Sequence, residues 1–153
     1  MSLRRMMWVA AFLVPVPARA QSDTAAVLTT VRRLFAGMRA SDSAMIRSTF
    51  APIIRFAEVN RRATPARIES DSVGGWLAAV ARSNHRWDER IHDVEVRLDA
   101  DLAQVWAPYT FYLDGAISHC GVDALQLVQD ADGWKITQLS DTRRRERCPD
   151  VPK

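Results

Sequence analysis

From Trp87 onwards, apolar and polar residues alternate along the chain, and this pattern restricts the fold more than any other feature. Alternation with a period of two is typical of strands that bury one face. Asp114-Gly115 is a strong signal for a two-residue hairpin turn between two such strands. We therefore predict an antiparallel meander, with strands over Trp87–Leu98 (bulged near His92-Asp93), Leu102–Leu113, Ile117–Val128 and Trp134–Leu139.

Three amphipathic segments precede this meander. Their apolar residues recur with helical spacing over Val27–Met38, Met45–Phe50 and Val73–Ala81. Ser22 or Asp23 is suited to cap the first helix. Polar residues of the same kind, Ser41-Asp42 and Asp71-Ser72, precede the second and third helices.

A short strand, Ile53–Val59, separates the second and third helices, and Asn60–Ser70 is predicted to be a loop. Helices collected early and strands collected late predict an α+β domain. Long antiparallel strands with bulges curl. The predicted architecture is therefore a cone-shaped, curved antiparallel sheet packed against three N-terminal helices.

The first twenty residues have the pattern of a cleavable secretory signal peptide. Arg4-Arg5 precede an uncharged apolar run, Met6–Val14, and Ala18-Arg19-Ala20 is a cleavage motif with small residues. The run is shorter than the roughly 20 apolar residues of a membrane-spanning helix, and a retained anchor is the alternative. We expect residues 1–20 to be removed and 21–153 to form a single domain, periplasmic or secreted, with no stable membrane anchor after cleavage.

The charge balance argues against nucleic acid as a partner. The chain has 21 Lys and Arg against 18 Asp and Glu, a net charge of +3. Three of the arginines, Arg4, Arg5 and Arg19, lie in the predicted signal peptide, so the remaining chain is formally neutral. Nucleic-acid binding needs an extended basic surface, and the local run Arg143–Arg147 is either a solvated face or a partner for an acidic group.

The two cysteines, Cys120 and Cys148, are expected to form a disulfide. An even pair of cysteines in an exported protein is typical of a disulfide. In the chain-entropy model the bridge would stabilise the fold by about 3–4 kcal/mol. It would also fasten the C-terminal tail to the sheet.

Three segments of the strand region resemble exported bacterial proteins of one superfamily. They are VWAPYTFYLDG (Val105–Gly115), SHCGVDALQLV (Ser118–Val128) and DGWKITQLSDTRR (Asp132–Arg144). The superfamily is the nuclear transport factor 2-like group of SnoaL-like and ketosteroid-isomerase-like cones, in a branch sometimes catalogued as lumazine-binding. The resemblance implies the fold and dimers formed through the sheet, but no single function, because the group contains enzymes, binders and interaction modules. No position is matched to the isomerase's catalytic residues.

A two-residue turn at Asp114-Gly115 sets the register of the first hairpin. Thr110 then lies opposite His119, and Trp106 opposite Asp123. The second hairpin is expected to pair Leu127 with Ile136 and Asp123 with Ser140. One face of the sheet then carries aromatic and polar residues suited to a small-molecule pocket, namely Trp106, Thr110, Tyr112, His119, Asp123 and Trp134.

Within this predicted pocket, His119 and Asp123 are the candidate base and its orienting partner. The alternative is a pair that is merely hydrogen-bonded at the rim of the sheet. A Cys–His nucleophile is excluded, because His119 and Cys120 are adjacent in a strand and point to opposite faces. The three histidines lack the spacing of metal ligands, and no sequence feature implies a metal or a cofactor.

The opposite face of the predicted sheet is apolar. A patch of this kind usually meets a partner, so we expect a homodimer through this face. Its residues are Val105, Ala107, Tyr109, Phe111, Val122 and Ala124.

Three functions follow from these observations. The first is an exported domain whose apolar cone binds a small hydrophobic or aromatic ligand. The second is a cofactor-free lyase, isomerase or hydrolase that uses His119 with Asp123 or Tyr112. The third is a dimeric interaction module without a ligand.

Overall fold

The computed structural model describes residues 18–60, 65–70 and 72–152. All but the last three residues of the predicted signal peptide lie outside this part of the chain. Its removal, and the domain boundary that follows from it, stay predictions. No helix in the described ranges combines the length and the apolar character needed to cross a membrane.

The described chain forms three helices and one curved seven-stranded sheet, which confirms the α+β prediction. The strand order is β2-β1-β7-β6-β5-β3, and β4 also pairs with β5. The elements are α1 (Ala18–Ala40), α2 (Ser43–Ser48), β1 (Phe50–Asn60), β2 (Arg67–Glu69), α3 (Val73–Arg82), β3 (Trp87–Ile91), β4 (Glu95–Asp99), β5 (Leu102–Leu113), β6 (Ala116–Asp130) and β7 (Gly133–Arg144).

Side-chain caps begin two of the helices where the sequence predicted them. The Oδ1 of Asp42 accepts a hydrogen bond from the Met45 amide at 2.8 Å, and the Oγ of Ser72 accepts one from Gly75 at 3.1 Å. The predicted cap of α1 at Ser22 or Asp23 is wrong, because the helix already begins at Ala18.

Three features of the strands differ from the prediction. The expected loop Asn60–Ser70 contains the short strand β2, which pairs with the end of β1. The expected single strand Trp87–Leu98 is two strands, because Asp93 adopts a positive φ of 46° and ends the ladder between them. β1 runs parallel to β7, so the sheet is mixed rather than wholly antiparallel.

The predicted hairpin at Asp114-Gly115 is confirmed, with φ of 52° and 89° at the two turn residues and Leu113 opposite Ala116. The predicted pairing of β5 with β6 holds for only one further pair beyond the turn. Ser118 is then bulged out of the ladder, so the predicted partner of Thr110 is wrong: Thr110 pairs with Cys120.

The same shift carries through the rest of this ladder. Trp106 lies opposite Ala124 instead of Asp123. The predicted Leu127–Ile136 pair is confirmed, but Thr137 forms a second bulge. Asp123 therefore faces Asp141 instead of Ser140.

The bulge at Ser118 exchanges the two faces of β5 relative to β6. Val105, Ala107, Tyr109 and Phe111 were expected on an exposed face, yet they point into the domain and are buried. They form one core with the apolar stripe of α1 and with the inward residues of β6 and β7. Four of the six residues of the apolar patch that suggested a homodimer are therefore not on the surface, and the other two, Val122 and Ala124, are half-buried. The homodimer stays a prediction, and the outward face that it would use carries Trp106, 50% exposed.

The predicted disulfide is confirmed. Cys120 and Cys148 are bonded, with their Cα atoms 5.5 Å apart. The bridge holds the C-terminal tail against the outward face of β5. There Thr110 Oγ1 donates a hydrogen bond to the Pro149 carbonyl at 2.8 Å.

Candidate functional site

A cavity of about 730 Å³ lies between the concave face of the sheet and the helices. The C-terminal half of α1, helix α3 and the end of β1 form its walls opposite β3, β5, β6 and β7. Most of the lining is apolar, with contributions from Leu34, Phe35, Met38, Phe56, Trp76, Trp87, Phe111 and Leu139. Size and character match those of small-molecule sites.

Aromatic rings make up much of this apolar wall. On one side, Phe56 and Trp76 pack edge to face, with centroids 5.3 Å apart. On the other side, Trp87 packs against Phe111 at 5.9 Å, and the imidazole of His119 stacks on Phe111 at 4.7 Å. Such pairs hold each other in place, so the wall is preformed.

Two carboxyl groups, Glu89 on β3 and Asp123 on β6, lie in this apolar wall. Asp123 is only 3% exposed, and no N–H or O–H donor among the described residues reaches its Oδ2. Burial raises the pKa of Glu89 to about 7. Burial, and then the nearby charge of Glu89, raise the pKa of Asp123 well above its ordinary value. A proton on Asp123 lets it donate a hydrogen bond to Glu89, so the pair holds a proton near neutral pH.

A third carboxyl group, Asp141, lies beside the pair and has a basic partner. The Nη2 of Arg143 lies 3.8 Å from Asp141 and 3.5 Å from Glu58. Burial still raises the pKa of Asp141 against the pull of Arg143. The Tyr109 hydroxyl donates to the Thr142 carbonyl at 3.0 Å and lies 3.4 Å from the Asp141 carboxylate. Its pKa is raised by burial, so it stays protonated.

Gly121 makes room for this arrangement. It lies between His119 and Asp123 on the inward face of β6, opposite Tyr109. A Cβ at this position would collide with the Thr142 carbonyl and would lie 2.9 Å from the Tyr109 ring. The close packing of β5, β6 and β7 here therefore requires a glycine. The ladder between β5 and β6 is regular at Gly121, and its bulge lies at Ser118.

Solved structures with the same architecture identify the fold. A protein of unknown function from Mycobacterium tuberculosis superposes with a TM-score of 0.69 at 12% identity, over 84% of this chain and 76% of its own. A dehydratase candidate of the NTF2-like family from Streptomyces avermitilis gives 0.66 at 15% identity, over 82% and 98%. An NTF2-like protein from Cytophaga hutchinsonii gives 0.65 at 13% identity, over 84% and 100%. The chain has the nuclear transport factor 2-like fold.

At these identities the likeness shows the fold alone. The sequence matches no protein family in a direct comparison, and it matches no curated protein. The chemistry of this NTF2-like cone must therefore be inferred from its own residues.

Of the six pocket residues expected from the sequence, the NTF2-like cone places two in the cavity wall. They are His119 and Asp123. The neighbours that set the pKa of Asp123 are Glu89, Asp141 and Arg143, and the role of His119 as a base stays a prediction. The Nδ1 of His119 lies 3.1 Å from the Ser118 hydroxyl.

The other four expected residues lie outside the cavity. Thr110 and Tyr112 point to the outward face, where the C-terminal tail covers them and the Tyr112 hydroxyl donates to Asp150 at 2.6 Å. Trp106 is on the same outward side, half exposed. Trp134 is part of the buried core. The three β5 residues were assigned to the wrong face because the bulge at Ser118 changes which residues of β5 share a face with His119 and Asp123.

Sequence reasoning missed Glu89, Tyr109, Asp141 and Arg143. Tyr109 was assigned to the wrong face. For Glu89 a signal was present, since Trp87, Glu89 and Ile91 occupy alternate positions and share one face of β3. An acidic residue whose neighbours on the same strand face are apolar indicates a buried carboxyl group. Asp141, two positions after Leu139, follows the same rule.

Among the described residues, no group of three His, Cys, Asp or Glu side chains is arranged to hold a metal ion. What the cavity offers is acid–base chemistry. It combines carboxyl groups whose pKa values are raised by burial with a mainly apolar wall.

Proposed function

We propose that this protein binds a small, mainly apolar molecule in its cone and catalyses a proton transfer on it, as a cofactor-free lyase, isomerase or hydrolase. One observation carries the proposal. Asp123, which is buried, and Glu89, which is half-buried, form a carboxyl pair without an ion-pair partner among the described residues, in the wall of a mainly apolar cavity. Buried carboxyl groups are costly, and their pKa values are most often perturbed in this way at functional sites.

The pair supplies an acid and a base from similar groups. With a pKa of about 7, Glu89 takes up and releases protons readily at neutral pH, which suits a general base. Burial and the neighbouring charge of Glu89 raise the pKa of Asp123 well above its ordinary value, so its protonated form is suited to donate a hydrogen bond to a substrate oxygen. His119 would serve to position the substrate through its stacked ring. The dehydratase candidate from S. avermitilis, which has the same fold, would be a lyase, one of the proposed classes.

Binding without turnover is the second candidate. It is favoured by the size of the cavity and its aromatic wall, which need no chemistry to hold a hydrophobic ligand. An interaction module without a ligand has less support. Trp106 points outward and Trp134 is in the core, so neither fills the cavity, and Trp76 only lines it.

We also propose that the protein works after export, in the periplasm or outside the cell. The disulfide between Cys120 and Cys148 supports this location, because such bonds persist in oxidising compartments. N-terminal sequencing of protein recovered from the periplasm or medium should begin at Gln21. A chain that retains residues 1–20 would contradict the proposal.

The first experiment on function is native mass spectrometry of the purified protein, followed by solvent extraction of any bound molecule. Proton transfer is then tested by NMR, as exchange of the α-protons of small aryl ketones in D2O. We expect the protein to accelerate exchange and Glu89→Gln to lower the rate by about 100-fold or more.

Glu95→Gln is the matched control, because Glu95 is exposed on β4 and does not line the main cavity. It should exchange at the wild-type rate. A rate that survives Glu89→Gln would contradict the catalytic role of Glu89. A bound molecule without exchange in the wild type would favour the second candidate.

A further inference from the structure

We propose that Arg143 is a positioning residue for the proposed proton transfer: its guanidinium, held by Glu58 and Asp141, offsets the negative charge of the surrounding carboxyl groups and so lets Glu89 serve as a base in its ionised form. The inference rests on the proposed function for the reaction that Arg143 serves. The effect of Arg143 on the ionisation of Glu89 can be measured without a substrate.

Three carboxyl groups of the cavity wall lie in one row across the sheet. Glu58 on β1 is the Cα partner of Asp141 on β7, and Asp141 is the partner of Asp123 on β6. Neighbouring strands are only about 5 Å apart. Glu89 joins this row through its hydrogen bond with Asp123. Ionisation of any one of these groups is disfavoured by charge on the others unless a cation is close by.

Arg143 supplies that positive charge. It is the one lysine or arginine among the described residues that line the cavity. It follows Asp141 by two positions on β7, so the two side chains leave the same face of the strand. Its Nη2 lies 3.5 Å from the Glu58 carboxylate and 3.8 Å from that of Asp141. These ion pairs hold the guanidinium at the β1–β7 end of the row, with Asp123 next along it.

The pKa values of the neighbouring carboxyl groups respond to this arrangement. Burial raises the pKa of Glu89 to about 7, the hydrogen bond with Asp123 lowers it, and the charge of Asp141 raises it. The charge of Arg143 lowers the pKa of Glu89, and it acts in the same direction on Asp123 and Asp141. Without Arg143, Glu89 would therefore keep its proton to a higher pH, and less of the base would be available at neutral pH.

Other titratable groups also face this space, and α1 and α3 contribute none of them to the described lining. They are His85, which precedes β3, Tyr109 on β5 and His119 on β6. Substitutions confined to β7 leave all of these groups in place. A change in the ionisation of Glu89 that follows such a substitution is therefore caused by the charge on β7.

NMR titration of the disulfide-bonded protein, labelled with ¹³C at the glutamate carboxyl carbons, measures the ionisation of Glu89, and Glu89→Gln assigns its signal. The wild-type midpoint should lie at about 7. Arg143→Gln should raise the midpoint by about one pH unit, and Arg143→Lys, which keeps the charge, should restore it. The titration needs low ionic strength, because the Arg143 side chain is 43% exposed and salt screens exposed charges.

Two further variants of β7 complete the titration. Asp141→Asn should lower the midpoint of Glu89, because it removes a negative charge and leaves Arg143 with one partner fewer. This opposite shift tests the inference even if Arg143→Gln does not fold. Arg144→Gln is the matched control, since Arg144 lies opposite Cys120 on the outward face and does not line the cavity. It removes the same charge and should leave the midpoint unchanged.

The pH profile of ketone exchange connects this effect with the reaction. In Arg143→Gln the rate near pH 6 should fall about tenfold, because a midpoint one unit higher leaves about a tenth of the ionised Glu89 at that pH. Above about pH 9, where Glu89 is ionised in both proteins, the rate should approach that of the wild type. Arg143→Lys should show the wild-type profile.

The outcomes separate the inference from the proposed function. A loss of equal size at every pH would show a merely structural role and overturn the inference. An unchanged Glu89 midpoint in Arg143→Gln, a midpoint that Arg143→Lys does not restore, or no downward shift in Asp141→Asn would also overturn it. No ketone exchange by the wild type, with the midpoint shifts as expected, would overturn the proposed proton transfer and leave the control of Glu89 by Arg143 standing.

Discussion

Asp88 and Glu89 are neighbours on β3 and lie on opposite faces of the sheet, where the pKa values of their carboxyl groups are shifted in opposite directions. Asp88 points away from the cavity and is surrounded by arginines: Arg39 Nε lies 2.6 Å from its Oδ1, and Arg90 Nη2 lies 2.9 Å from its Oδ2. Burial alone would raise the pKa of Asp88, but the hydrogen bonds from Arg90 and Arg39 outweigh it and lower the pKa. Glu89 points into the cavity, and burial raises its pKa to about 7.

The ion pairs of Asp88 stabilise the fold, whereas Glu89 contributes no such stabilisation. Asp88 connects α1, through Arg39, to the edge strand of the sheet, and Arg90 continues the network to the Val151 carbonyl at 2.6 Å and to the face of the Tyr112 ring at 3.9 Å. Glu89 has no ion pair among the described residues, so its burial lowers stability. A buried acid that is kept at such a cost is a candidate for function.

The largest effect is expected from Asp88→Asn. It leaves Arg90, whose side chain is 14% exposed, without its anionic partner. Removing one member of a buried ion pair costs about 3–5 kcal/mol. Urea unfolding followed by tryptophan fluorescence should show this loss. Glu89→Gln, one residue away, should leave stability unchanged or raise it, and equal losses in the two variants would contradict the comparison.

Removal of the disulfide should affect the outward face and spare the cavity. Cys120 and Cys148 are 28 residues apart, and closing a loop of this length stabilises the fold by about 3–4 kcal/mol in the chain-entropy model. Cys120→Ala with Cys148→Ala should lower stability by that amount. Hydrogen exchange should increase at Val151, whose amide donates to the Tyr112 hydroxyl at 2.7 Å. Loss of the cavity's ligand affinity in the folded variant would show that the two faces are coupled.

The pH dependence of stability should distinguish Glu89 from Asp88 by its sign. The pKa of Glu89 rises from 4.5 to about 7 on folding, so the native state binds more protons in this range, and stability falls as pH rises through it. At 1.36 kcal/mol per pH unit the loss reaches about 3 kcal/mol. Asp88, with a lowered pKa, contributes stability above its ordinary pKa that is lost in acid.

Glu89→Gln should therefore remove a fall in stability between about pH 4.5 and 7. Urea denaturation of both proteins at several pH values measures the difference. The groups that face Glu89 and titrate or carry charge should be kept unchanged, since they also affect its protonation: Tyr109, Asp123, Asp141 and Arg143. Parallel curves for the two proteins would show that Glu89 has an ordinary pKa.

The fold could be predicted from the sequence because its signals are local and repeated. Helical spacing in α1 and α3, alternation in β5 to β7 and the Asp114-Gly115 turn all agree, and a resemblance in the strand region pointed to the same cone. The bridge between Cys120 and Cys148 followed from an even cysteine count. Each of these features depends on residues close in sequence or on their number.

The site was harder to predict because one bulged residue decides which side chains share a face. Ser118 carries no signal that separates it from its neighbours, but its bulge sends Tyr109 into the cavity and Tyr112 out of it. The second bulge, at Thr137, brings Asp141 opposite Asp123. The pairing of Glu89 with Asp123 depends on both strands being placed correctly, and no local pattern encodes it.

The two tyrosines of β5 give the smallest and most selective test of the comparison. The Tyr112 hydroxyl contacts Asp150 and Val151 of the tail, and the Tyr109 hydroxyl contacts Thr142 and Asp141 at the cavity. Loss of one hydroxyl costs about 1 kcal/mol, so Tyr112→Phe and Tyr109→Phe should destabilise the protein to a similar, small extent. They should differ in ligand affinity. Tyr109→Phe removes the hydroxyl that contacts Thr142 and Asp141 and should alter binding in the cavity, whereas Tyr112→Phe should loosen only the tail. If Tyr112→Phe changed ligand affinity as much as Tyr109→Phe, the outward face would be part of the site, and the division of β5 into a structural and a functional side would fail.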